Sequence, residues 1–74
     1  MELRLGRYRH FKGMEYEVLS LAKHSETCED MVVYQALYGE RTVWVRPAAM
    51  FLETVEHEGK LMQRFTYLGD EAAK

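Results

Sequence analysis

MVVYQALYGERTVWVRPAAMF, residues 31–51, decides the reading of this chain. Two runs of β-branched and aromatic residues flank Gly39, and the segment ends near the only proline, Pro47. Such side chains fit a pleated, half-buried surface, Gly39 with Glu40 and Arg41 supplies turn chemistry, and Pro47 has no N–H to give to a central ladder. The stretch predicts a hairpin with strands at 31–38 and 42–46. PAAMF then stops it, in a form that suits one turn of 3₁₀ helix entered by proline. This fixes an architecture and contains no catalytic signature.

Working outward, glycines at 6, 13, 39, 59 and 69 punctuate a pattern that mostly alternates with period two, which favours strands. A first strand is predicted at 7–11, turning at Lys12 and Gly13. A second runs over 15–23, with Tyr16 and Val18 on one face and Leu19 and Leu21 on the other, so that both faces become apolar. HSETCED, residues 24–30, reads as the polar loop into the third strand, or as a single helical turn capped by Ser25. Residues 51–55 and 60–68 make a second hairpin around Glu56, His57, Glu58 and Gly59, and the tail 70–74 is expected to fray.

The register of the central hairpin sets which side chains meet water. An even loop sets Tyr38 opposite Val43 and Ala36 opposite Val45, and gathers Gln35, Leu37, Thr42, Trp44 and Arg46 on the other face. An odd loop groups Tyr34, Tyr38, Trp44 and Arg46. The even loop is preferred, because an unpaired polar group in the core costs about 1–3 kcal/mol.

With 74 residues the chain reads as one domain with its core at about 5–69, too small for a deep cleft, and hydrophobic residues at 47% with charged residues at 30% suit a globular fold. Cys28 is the only cysteine, so no disulfide forms within the chain. MELRLGRYRH lacks the apolar core of a signal peptide, and the expected location is the cytoplasm. No run approaches the length of a membrane span. The formal charge of −2 gives no global attraction to phosphate, although Arg4, Arg7, Arg9, His10 and Lys12 weight one end basic.

GRYRHFKG at 6–13, YEVL at 16–19, KHSET at 23–27, VVYQALYG at 32–39, WVRPAAMF at 44–51 and ETV at 53–55 together resemble a family of small bacterial proteins. That family is grouped as a domain of unknown function, number sixteen fifty-three, and the resemblance spans residues 5–69. The chain departs from its pattern at Gln35, where Arg is common, and at Met14, where a polar residue is common. The resemblance implies a small SH3-like β-barrel, and it brings no activity, cofactor or partner. The strand reading agrees: mainly β, five to six antiparallel strands and one short 3₁₀ turn.

Several side chains carry chemistry worth weighing. Trp44 beside Arg46 can stack a ring and grip a phosphate or carboxylate; the plain alternative is a Trp packed under the last hairpin and an Arg paired to Glu53 or Glu17. Basic residues interleaved with Tyr8 and Phe11 suit a nucleic-acid groove and equally suit a wet edge strand. His24, Ser25 and Glu26 contain triad residue types, but neighbours on an extended chain diverge, so the loop, with Thr27, is read as a ligand rim or as backbone caps. His10, His24 and His57 lack zinc spacing, and the acidic neighbours of Cys28 disfavour its thiolate.

The expected function is a non-enzymatic binding module for a peptide, an acidic small molecule or RNA. Its candidate ligand residues are His10, Lys12, His24, Ser25, Glu26, Thr27, Gln35, Trp44 and Arg46. No cofactor, metal or membrane is expected, and a homodimer through an exposed strand edge is compatible with this reading. The alternative is a small hydrolase or transferase using His10 or His24 as general base, which requires those two residues to converge with Arg46 in one pocket.

Overall fold

The computed structural model describes residues 3–69. The chain runs through β1 (Gly6–His10), β2 (Glu15–Lys23), β3 (Asp30–Ala36), β4 (Val43–Pro47), α1 (Ala48–Phe51), β5 (Thr54–His57), β6 (Lys60–Gln63) and β7 (Phe65–Gly69). The mainly β, antiparallel architecture expected from the alternating pattern holds. Seven strands form two sheets among the described residues, one in the order β4-β3-β2-β1-β7 and one pairing β5 with β6. The tail expected to fray at 70–74 lies outside the described residues.

The strand expected at 60–68 divides at Arg64, where the backbone serves other segments. Arg64 N donates to Glu53 O at 3.0 Å, and Arg64 O accepts from Phe11 N at 2.9 Å. The chain therefore leaves the hairpin of β5 and β6 and continues as β7 beside β1. PAAMF forms an α turn where a 3₁₀ turn was expected: Leu52 N reaches back four residues to Ala48 O at 3.0 Å, and Glu53 N closes on Met50 O at 3.3 Å. Because Phe51 belongs to this helix, β5 begins only at Thr54.

One core fills the space between the large sheet, β7 included, and the helix. Phe51 and Val32 are fully buried, with Val18 nearly so. The rings of Phe51 and Phe65 stack at 4.1 Å with an interplanar angle of 2°, and Tyr8 and Tyr34 meet Phe51 edge-on at 5.3 and 5.4 Å. Each such ring removed from water contributes roughly 1.5–3 kcal/mol. Aromatic side chains from β1, β3, α1 and β7 thereby fix the relative placement of elements far apart in the sequence.

The central hairpin adopts the odd register, which overturns the even-loop preference. Tyr34 pairs with Trp44, Val32 with Arg46 and Gln35 with Val43. The turn between them closes through Arg41 N to Tyr38 O at 3.0 Å, with Gly39 and Arg41 both at positive φ. A polar group on the core face is costly only while it lacks a partner. Arg46 avoids that cost by donating from Nε to the Tyr34 hydroxyl at 3.2 Å.

A bulge at Leu19 explains why both faces of β2 are apolar. Val18 pairs with Tyr34, yet Ser20 pairs with Val33, so one extra residue sits opposite a single partner. From there on the face assignment reverses, and Leu21 joins Val32 on the core side. Leu19 and Leu21 remain partly exposed, at 41% and 40%.

Candidate functional site

The register places a group of polar and aromatic side chains on the core-facing side of the large sheet, at the end where β1 turns into β2. Cross-strand partners point the same way, so Trp44 goes with Tyr34, and Tyr34 with Val18 and Tyr16. On the same side, His10 pairs with Phe65, and its ring lies 5.1 Å from Phe65 and 6.4 Å from Tyr16. Tyr38 reaches in from the turn: its hydroxyl lies 2.7 Å from that of Tyr16, with the two rings edge to face at 5.6 Å. Trp44 is half exposed rather than packed under the last hairpin, so the plain alternative for it does not hold. Nor does the one for Arg46, since Glu53 pairs with Arg64 instead, at 3.0 Å, and Glu17 lies opposite Gln35 on the other face of the sheet.

The electrostatics of this face are cationic, although the whole chain is slightly acidic. Burial lowers the His10 pKa from its ordinary 6.5, and the charges of Arg64, Lys12 and Arg46 lower it further. His10 Nδ1 accepts the Lys12 backbone N–H at 3.1 Å, so in the neutral ring Nε2 carries the proton. Burial raises the Tyr16 pKa to about 12, with help from its hydrogen bond to Tyr38. At neutral pH the face thus offers a guanidinium, neutral donors and exposed rings, all suited to an anion with a flat part.

Two concavities lie away from it. One of about 290 Å³ is lined by Leu21, Ala22, Lys23, Asp30 and Met31; the other, of about 230 Å³, includes Leu3, Arg4, Tyr8 and Tyr67, and neither includes Trp44, Arg46, His10 or Tyr16. The candidate face is open to solvent through Trp44 and Tyr38, which are about half exposed.

His24, Ser25, Glu26 and Thr27 sit at the opposite end of β2. Nine extended residues separate the two ends by about 26 Å at the ordinary rise of a strand. There His24 Nδ1 accepts the N–H of Glu26 at 3.1 Å and of Thr27 at 3.4 Å, and Thr27 Oγ1 accepts that of Glu29 at 3.2 Å. The loop is a single turn, closed by Cys28 N donating to His24 O at 2.9 Å and capped by His24 in place of Ser25. His10, His24 and Arg46 therefore do not converge.

Gln35 lies on the outer face of the sheet, where its Nε2 donates to Arg41 O at 2.9 Å and steadies the turn. The basic N-terminal run is divided as well. Arg7 and Arg9 point outward and meet Glu15 at 3.8 and 3.2 Å, and β1 is an inner strand between β2 and β7 rather than a wet edge. Among the described residues no cluster of three or more His, Cys, Asp or Glu is placed to hold a metal ion.

The sequence reading missed Tyr16, Tyr38 and Arg64 as members of this face. The odd register had grouped Tyr34 and Tyr38 with Trp44 and Arg46, and that was the available signal. Tyr16 and Arg64 arrive from β2 and from the break before β7, positions that no local pattern connects.

This geometry defines a small antiparallel β protein with an aromatic, cationic platform on one sheet face. The family model described as "Protein of unknown function (DUF1653)" matches residues 6–67, and the chain belongs to that family. It is similar to the crystal structure of a DUF1653 protein from Bordetella bronchiseptica, with 38% identity and a TM-score of 0.86 over 93% of this chain and 91% of the other. No curated protein matches it. Among the described residues no helix is long and apolar enough to cross a membrane.

Proposed function

We propose that the protein is a non-enzymatic binding module that takes an anionic ligand bearing a flat ring, with single-stranded RNA as the best-fitting class. One observation carries the reading: half-exposed Trp44 stands two residues from Arg46 on the same face, with the guanidinium tethered through Nε to Tyr34. Two residues along a strand span about 7 Å, close to the reach from a stacked base to a neighbouring phosphate. With Nε engaged, the two terminal nitrogens of Arg46 remain as a fork for phosphate oxygens. Lys12 and His10 add a cation and a neutral donor beside it. The His24–Thr27 segment is too far away to touch the same short ligand. A cytoplasmic location fits the exposed Cys28, a lone thiol that a reducing compartment keeps free.

The test is titration of Trp44 fluorescence with short oligouridine at low and moderate salt. Saturable quenching that weakens steeply with salt supports RNA. Absence of quenching at low salt rejects it, and quenching by small aromatic acids or acidic peptides alone assigns the platform to those ligands.

A further inference from the structure

The outer edge of β4 carries an inference independent of the ligand. Ala36 N donates to Thr42 O at 2.9 Å, which makes these two a hydrogen-bonded pair. Antiparallel ladders alternate, so Tyr34–Trp44 and Val32–Arg46 are the next such pairs, and the N–H and C=O groups of Val43 and Val45 point away from β3. β4 ends the five-stranded sheet, and among the described residues no strand pairs with its outer side. Val43, Trp44 and Val45 are 53%, 51% and 60% exposed, three consecutive apolar residues on an open edge. Edge strands are ordinarily guarded by charge, proline or a bulge. Here the ladder to β3 is regular and the proline stands at the last position.

We propose that β4 pairs antiparallel with β4 of a second copy of this chain, about a two-fold axis normal to the sheet. The strand is complementary to itself. With Trp44 on the axis, Val43 and the partner's Val45 exchange two hydrogen bonds, Val45 and the partner's Val43 do the same, and every outward donor and acceptor of the two valines is used. Pro47, which has no N–H, then falls beyond the paired segment. Centring on Val45 instead would set Pro47 opposite Val43 and leave the Val43 carbonyls without a donor. Residues 43–45 carry no charge, so the axis brings no like charges together. On one face the two indoles meet in a close non-hydrogen-bonded pair; on the other, valine meets valine. Because antiparallel partners keep their faces, the Trp44–Arg46 platforms of both copies lie side by side.

Sedimentation velocity from micromolar to millimolar concentration tests this. Twice the chain mass of 8.7 kDa is expected at the upper end. Val45→Pro removes an outward N–H without touching the ladder to β3 and should give a monomer with an unchanged circular dichroism spectrum. Val45→Lys keeps every backbone donor and should also give a monomer, which covers the case in which the proline variant fails to fold. In the wild-type chain, amide exchange at Val43 and Val45 should slow at least tenfold between dilute and concentrated samples. A wild-type monomer across the range, dimeric Val45→Lys, or exchange at these amides that ignores concentration would overturn the proposal. None of these readouts depends on whether the platform binds RNA.

Discussion

His10, which closes β1 before the turn into β2, and His24, just past the far end of β2, use the same local device and end in different surroundings. Each ring accepts the backbone N–H two residues on, at 3.1 Å, so each imidazole first serves as a turn clasp. His24 stays in an exposed loop with Glu26 and Glu29 as neighbours in sequence. His10 is packed against Phe65 and Tyr16 and ringed by the charges of Arg64, Lys12 and Arg46. The contrast teaches that the clasp is written locally, whereas the chemistry of the histidine is set by the strands that fold over it.

The largest effect should come from removing the support under the His10 end. Phe51→Ala deletes the ring stacked on Phe65 and should cost about 3–5 kcal/mol in denaturant unfolding. A cost below one kcal/mol would mean that the platform does not rest on this core. Trp44→Ala should leave unfolding nearly unchanged but weaken oligouridine binding by about 1–3 kcal/mol, roughly fivefold or more. His24→Ala removes only a clasp at the other end. Its expected cost is about 1 kcal/mol, like that of a lost helix cap, with binding untouched.

pH sharpens the same comparison. The folded-state pKa of His10 lies below 6.5, so the unfolded chain takes up a proton first on acidification; the stability it contributes is full above 6.5 and is lost as pH falls. Tyr16 acts at the other limit. With its pKa raised from 10.0 to about 12, the unfolded chain ionises first, and stability declines as pH rises above 10.0. Denaturant midpoints measured across pH should therefore fall on both sides, and His10→Asn should flatten the acid side. The smallest change belongs to the far end: Lys23→Ala should return the Asp30 carboxyl, held low by its hydrogen bond to Lys23 at 2.7 Å, to the ordinary range in an NMR titration.

Much of the fold was legible because side-chain alternation survives in a small sheet. The limits of β2 were read directly, and the hairpin around Gly39 and the one around Gly59 were both anticipated. The register of the central hairpin was not, since Arg46 was judged as an isolated charge while its hydrogen-bond partner stood twelve residues earlier, at Tyr34. The break at Arg64 was equally hidden, because it depends on backbone bonds to Phe11 and Glu53. In the site, Trp44 and Arg46 were found as neighbours on one strand. Tyr16 and Tyr38 needed the fold, and the His24 loop looked relevant only while its distance along β2 was unknown.

The supernumerary leucine in β2 has a consequence for how this chain tolerates change in length. Excising Leu19 would remove the bulge and leave the faces as they are: Ser20 would follow Val18 on the outer side opposite Val33, and Leu21 and Lys23 would stay on the side of Val32. The loss of one residue at this point is thus absorbed, with Leu21 still over Val32 and Lys23 still opposite Asp30. The strand is two short phrases joined by a spare beat, and that beat gives its length one residue of slack.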